Sequence, residues 1–148
     1  MGTNFASFAE MQKASGVEGF SSSDYIFYVL RELNVASDFM RAFVELLTPT
    51  IVKEDGLALI ETVGAVEKYR KYRREGQSPE RAQYWANLTL ISGVFEAVDE
   101  TLDAKIAALV ANCWNAALRE SQEMRQTVRI VADESDGIFL ALGETTAP

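Results

Sequence analysis

The sequence predicts a mostly α-helical protein: an up-and-down bundle of about four main helices with a short N-terminal helix. Three observations carry that expectation. Apolar residues recur at steps of three and four along most of the chain, which places them on one face of a helix. The clearest breaks, Thr48-Pro49 and Gly76 to Pro79, are helix stop and start signals. With 48% apolar residues, 24% charged residues, 9 Gly and 3 Pro in 148 residues, the composition is that of one ordinary globular domain.

Residues 1–20 are polar and carry Ser and Gly, so Phe5, Phe8 and Met11 suggest one short, loosely attached helix followed by a loop over Gly16–Ser22. Ser22 or Ser23 is the expected N-cap of the next helix, with Asp24 in its first turn. An apolar stripe then runs Ile26, Leu30, Leu33, Met40, Val44, Leu47, with Ala36 between. It indicates a helix over 23–47, with a break near Asn34 where Ser37 would cap a second piece. Thr48-Pro49 ends it.

Val52, Leu59, Val63 and Val66 keep helical spacing, although Gly56 and Gly64 weaken it, and a helix over about 56–75 is expected. Gly76 suits the left-handed position after that helix, and Ser78-Pro79-Glu80 begins another. Residues 79–98 are apolar on nearly every side, through Tyr84, Trp85, Leu88, Leu90, Ile91, Val94 and Phe95, as in a central helix. Ser92-Gly93 would allow close approach of a neighbour.

The longest stripe is Ile106, Val110, Cys113, Ala117, Met124, Val128, Val131, interrupted only by Ser121. One helix over 102–132 would be about 45 Å long. It would overhang the bundle, and a second copy of the chain is the simplest cover for Met124, Val128 and Val131, hence an expected homodimer. The alternative is a small C-terminal β-hairpin, with Val128–Ala132 and Ile138–Leu142 flanking Asp133 to Gly137. Residues 1–148 are read as a single helical domain with 143–148 as a flexible tail.

The chain holds 22 acidic and 14 basic side chains, a formal charge of −8. That field opposes general binding to nucleic acid or anionic membrane and favours a basic protein partner. There is no histidine, which removes triads, Cys–His dyads and the usual zinc and haem ligation. Cys113 is the only cysteine, so no intrachain disulfide exists. No GxGxxG or GxxxxGK[ST] stretch occurs. The N-terminal residues lack the pattern of a signal peptide, and no apolar run reaches the length of a membrane span. The cytoplasm is the expected compartment.

Four groups of residues invite a functional reading. Residues 68–74, KYRKYRR, place Lys68, Arg70, Lys71, Arg73 and Arg74 beside Tyr69 and Tyr72. That is either an anion site with stacking tyrosines or a solvated helix end complementing the dipole. Glu96, Asp99, Glu100 and Asp103 fall at helical spacing and offer oxygen ligands to Mg²⁺ or Mn²⁺, with Glu61, Glu67 or a second chain supplying more. The plainer reading is acids placed at a helix start. Tyr84, Trp85, Phe95 and Trp114 would line an apolar pocket or simply fill the core. Asn87-Leu88-Thr89 matches a glycosylation acceptor but falls within an expected buried helix.

These features favour a non-enzymatic helical interaction or regulatory protein that needs no cofactor and acts as a homo-oligomer through helix faces. One concrete form is a neutraliser of a basic protein. The alternatives are a Mg²⁺- or Mn²⁺-dependent helical enzyme acting on a phosphorylated or nucleotide substrate, and a bundle that binds a small apolar ligand.

Overall fold

Reciprocal caps begin the first two helices. A computed structural model of the chain describes residues 7–16, 18–33, 37–92, 100–121, 126–133 and 137–143. Ahead of α1 (Phe8–Ser15), Ser7 N–H donates to Glu10 Oε2 at 2.7 Å and Glu10 N–H donates to Ser7 Oγ at 3.3 Å. Ser21 and Asp24 repeat the pattern ahead of α2 (Ser22–Leu33), at 2.8 and 3.3 Å, one residue before the expected cap. The hydrogen bonds from Ser7 and Ser21 hold both carboxyls below the usual range. Phe8 meets Tyr25 edge-on, with ring centroids 5.7 Å apart, and ties α1 to α2.

The chain divides into two compact units, residues 1–41 and 42–148. The dividing point lies inside α3 (Ser37–Leu47). Thr48 closes this helix by donating its N–H and its hydroxyl to Val44 O, both at 2.9 Å.

Residues 42–148 depart from the expected bundle. The described residues contain six α-helices and two small antiparallel sheets. The expected helix over 56–75 is instead a hairpin followed by a shorter helix. β1 (Ile51–Glu54) pairs with β2 (Leu57–Ile60) across the two-residue turn Asp55-Gly56. Both turn residues are left-handed, with φ of +50° and +79°, the type I′ geometry that matches the twist of paired strands. A 3-10 turn over Glu61–Val63 then leads to α4 (Ala65–Arg74).

α5 (Pro79–Asn87) begins as expected: Ser78 Oγ accepts the Arg81 N–H at 3.3 Å and Pro79 takes the first position. It ends eleven residues before the expected 98. Thr89 and Leu90 form β3, pairing with Leu140 and Phe139. The apolar, β-branched run Leu88–Ile91 had both options, and a strand partner decided between them.

The last helix, α6 (Glu100–Glu120), ends twelve residues before 132. β4 (Val128–Asp133) and β5 (Gly137–Leu142) form the hairpin that was the alternative reading, and the second sheet has the order β3-β5-β4. The spacing of Val128 and Val131 reads as helical only when α6 is continued through them. In a strand, Val128 enters the core and pairs with Leu142, while Val131 pairs with Phe139 on the opposite face. The four-helix bundle, and the overhanging helix end that suggested a dimer, are therefore replaced by helices packed on two hairpins.

β2 lies between the two hydrophobic clusters. Ala58 and Ile60 face Val110, Trp114, Leu118, Val128, Leu140 and Leu142; Leu59 faces Val66, Tyr69, Ala82 and Ala86 on the other side. A strand buried on both faces exposes no backbone to water, so its outer edge needs partners. Side-chain amides supply them. Asn87 Oδ1 accepts the Ile60 N–H at 2.8 Å, Gln126 Oε1 accepts the Ala58 N–H at 3.2 Å, and Gln83 Nε2 donates to Ala58 O at 2.9 Å. Among the described residues no helix is long and apolar enough to cross a membrane.

Candidate functional site

The basic run folds onto the first hairpin. Tyr69 and Tyr72 turn inward from α4 to the cluster around Leu59, and the buried Tyr69 ring has no face left to stack on a base. Tyr69 is buried, and its hydroxyl donates to Asp55 Oδ2 at 2.6 Å. Burial, reinforced by that hydrogen bond and the Asp55 charge, pushes the phenol up to about 12.

The cations on the outer side of α4 meet acids of the hairpin turn. Arg70 grips Glu54 with two guanidinium nitrogens, one of them Nε at 3.2 Å from Oε2. Arg73 Nε lies 3.6 Å from Asp55 Oδ2, and its NH1 donates to Gln77 O at 2.5 Å. Lys68 Nζ donates to Val63 O at 2.9 Å, and Lys71 lies 4.0 Å from Glu75. Arg74 has no hydrogen bond or ion pair among the described residues.

A cleft of about 430 Å³ opens here, lined by Glu54, Asp55, Glu67, Tyr69, Arg70, Arg73 and Arg74. Three carboxylates face three guanidiniums, so the lining carries no net charge with which to concentrate phosphates. The exposed Arg70 and Arg73 pairs each contribute little to stability, because water screens them. The arrangement is chemically a latch: Asp55, held left-handed in the turn, receives Tyr69 and Arg73 together and fixes the hairpin to α4.

Glu96 and Asp99 lie outside the described residues, Glu100 opens α6, and Asp103 is half-exposed in its first turn. Among the described residues no three Asp, Glu or Cys side chains converge as metal ligands. Glu61 and Glu67 are both exposed, and only Glu67 borders the cleft.

Of the aromatic candidates, Phe95 lies outside the described residues. Trp114 is fully buried and its Nε1–H donates to Leu46 O at 2.7 Å, so it fills the core of residues 42–148. Tyr84 packs edge-on against Trp85, with centroids 5.3 Å apart. Asn87 is fully buried and engaged with β2, which leaves it closed to glycosylation as folded. Met124 lies outside the described residues, Val128 belongs to the core, and Val131 is half-buried on β4.

Periodicity alone missed a different surface. On α2, Ile26 and Phe27 are exposed, Phe27 at 71%. On α3, Phe39 and Phe43 stand one turn apart, with Phe39 61% exposed and Val44 exposed beside them. Leu46 and Leu47, in the last turn of α3, pack on the core around Trp114. Of the stripe Ile26, Leu30, Leu33, Met40, Val44, Leu47, the residues Ile26 and Val44 are exposed and Leu30, Met40 and Leu47 are half-buried, while Phe39 and Phe43 lie outside it. Isolated exposed apolar residues are ordinary, but several large ones on successive helices mark an interaction surface.

The chain matches no protein-family model, no curated protein and no solved structure.

Proposed function

We propose that this is a non-enzymatic interaction protein that binds another protein through exposed apolar side chains of residues 1–41, Ile26 and Phe27 of α2 and Phe39 of α3. The observation that carries the reading is the exposure of Phe27, at 71%, and of Phe39, at 61%, within residues 1–41. Large apolar side chains left exposed on amphipathic helices suit insertion into a hydrophobic groove. The net charge of −8 favours a partner whose groove has a basic rim. Nothing assembled in the cleft at α4 competes with this reading, because its guanidiniums and carboxylates are spent largely on one another.

The test uses Phe27→Asp and Phe39→Asp in the full chain, with circular dichroism to verify the fold. A protein recovered stoichiometrically by the wild type should be lost with these variants and should rebind the purified wild type in calorimetry. Recovery of the same proteins by wild type and variants would end the proposal.

A further inference from the structure

β4 is the outer strand of the second sheet, and its backbone orientation can be read from one residue. The Val128 N–H donates to Asn115 Oδ1 at 2.7 Å, and Val128 O accepts from Asn115 Nδ2 at 3.2 Å. Both groups thus point away from β5, making Val128 and Leu142 a non-hydrogen-bonded pair. Alternation along an antiparallel ladder then turns the N–H and C=O of Ile130 and Ala132 outward as well. Among the described residues no strand covers them. The side-chain amide of Asn115 thus caps the start of this edge, and the next two outward-facing residues have no strand partner among the described residues.

Between Arg129 and Asp133 the open stretch lacks the usual protections of an edge strand. It has no Pro and no Lys, and its middle is Ile130-Val131-Ala132, with Ile130 47% exposed. An edge of this kind is a template for another strand.

We propose that two copies of this chain associate by antiparallel pairing of their β4 strands about a two-fold axis at Val131, giving a continuous six-stranded sheet. The segment Arg129-Ile-Val-Ala-Asp133 is complementary to its own reverse about that point. Ile130 of each copy faces Ala132 of the second copy, so outward N–H and C=O groups meet outward groups. Arg129 faces Asp133 twice, and both side chains are exposed. Opposite charges directly across a strand pair are favourable, and Arg129 keeps donors to spare while NH2 holds Gly143 O at 2.6 Å.

Other registers fail on the same criteria. Centring the axis on Ile130 requires the backbone groups of Val128, which Asn115 already holds, and sets Arg129 against Val131. Centring between Ile130 and Val131 opposes an outward-facing residue to an inward-facing one, which makes no ladder. Centring on Ala132 leaves Arg129 without Asp133. At the Val131 axis, Val131 meets Val131 of the second copy on one face, beside Phe139 of each chain, and the two Ile130 side chains become covered on the other. This inference is independent of the α2 and α3 reading, since it uses another element.

Sedimentation equilibrium over about 1–100 μM tests it in the micromolar range of dissociation constants. The wild type should be a dimer in exchange with monomer. Arg129→Asp and Asp133→Arg should each raise the dimer Kd by about tenfold or more, since each sets like charges across the strands. An equimolar mixture of the two variants should recover a heterodimer, because both cross-strand pairs are then opposite in sign. Val131→Cys, in a Cys113→Ser background, should form an intermolecular disulfide on mild oxidation, as a non-hydrogen-bonded pair on the axis brings Cα atoms to about 4.5 Å. Phe27→Asp and Phe39→Asp should leave the dimer intact, which separates this surface from the helical one. A wild type that stays monomeric to 100 μM, a mixture that does not recover, or a dimer lost with the α2 and α3 variants would overturn the proposal.

Discussion

The Oδ1 of Asn87 accepts the backbone N–H of Ile60 at 2.8 Å, with the side chain fully buried. Its Nδ2 donates to Gln83 O at 2.9 Å and approaches Ala58 O at 3.4 Å. One side chain thus stands where a neighbouring strand would have been, on the edge of a strand buried on both faces.

Asn87→Ala should lower the unfolding free energy by about 2–3 kcal/mol, because it leaves the Ile60 N–H buried without an acceptor. Gln83→Ala should cost less, about 1 kcal/mol, since Ala58 O keeps Asn87 nearby and the Ala58 N–H keeps Gln126. Urea unfolding followed by circular dichroism compares the two. Equal losses would show that the amide edge does not depend on Asn87 in particular.

Tyr69 ties stability to alkaline pH. Its phenol ionises near 12 in the folded chain against an ordinary value of 10. The protonated form is therefore favoured by folding, and that contribution is complete below pH 10 and lost as the pH rises towards 12. Two units correspond to about 2–3 kcal/mol. The stability difference between wild type and Tyr69→Phe should shrink or reverse across pH 10–12, while phenolate absorbance shows a late-titrating group that is missing in the variant. A difference that stays flat across this window would refute the assignment.

Two glycines with positive φ should respond unequally to Ala. At Gly56 a Cβ meets nothing within 4 Å, so Gly56→Ala should cost only the left-handed strain, about 1–2 kcal/mol. At Gly137, with φ of +104°, a Cβ would stand 2.1 Å from Ser92 Oγ, which itself accepts the Ile138 N–H at 2.9 Å. Gly137→Ala should therefore be the more damaging, by about 1 kcal/mol or more through loss of that hydrogen bond. Thermal melts of both variants decide the order.

The two tryptophans should separate cleanly in fluorescence. Trp114 is fully buried, and Trp85 is 40% exposed. Trp85→Phe should leave a blue-shifted emission that iodide barely quenches, and Trp114→Phe a red-shifted, readily quenched one. Trp114→Phe should also cost about 1–2 kcal/mol through the lost bond to Leu46 O. Equal quenching in both variants would contradict the burial of Trp114.

Local chemistry by itself determined where several elements begin and end. Thr48-Pro49 stops α3 at Leu47, Gly76 adopts φ of +87° just beyond α4, and Ser78-Pro79 opens α5. These signals depend on a few adjacent backbone groups, so they survive any tertiary context. Asp55-Gly56 was an equally local signal, the two-residue hairpin turn, and it was overlooked because Val52, Leu59, Val63 and Val66 happen to fall at helical spacing. The choice between helix and strand at Leu88–Ile91 and at Val128–Asp133 was not local. Short apolar runs fit both periods, and here the decision came from pairing Leu90 with Phe139 and Ile130 with Leu140. Tertiary structure alone also decided the fate of charges and apolar faces. It folded Arg70 and Arg73 onto Glu54 and Asp55, and it left Phe27 and Phe39 exposed, because burial depends on which surfaces meet and not on the period that creates them.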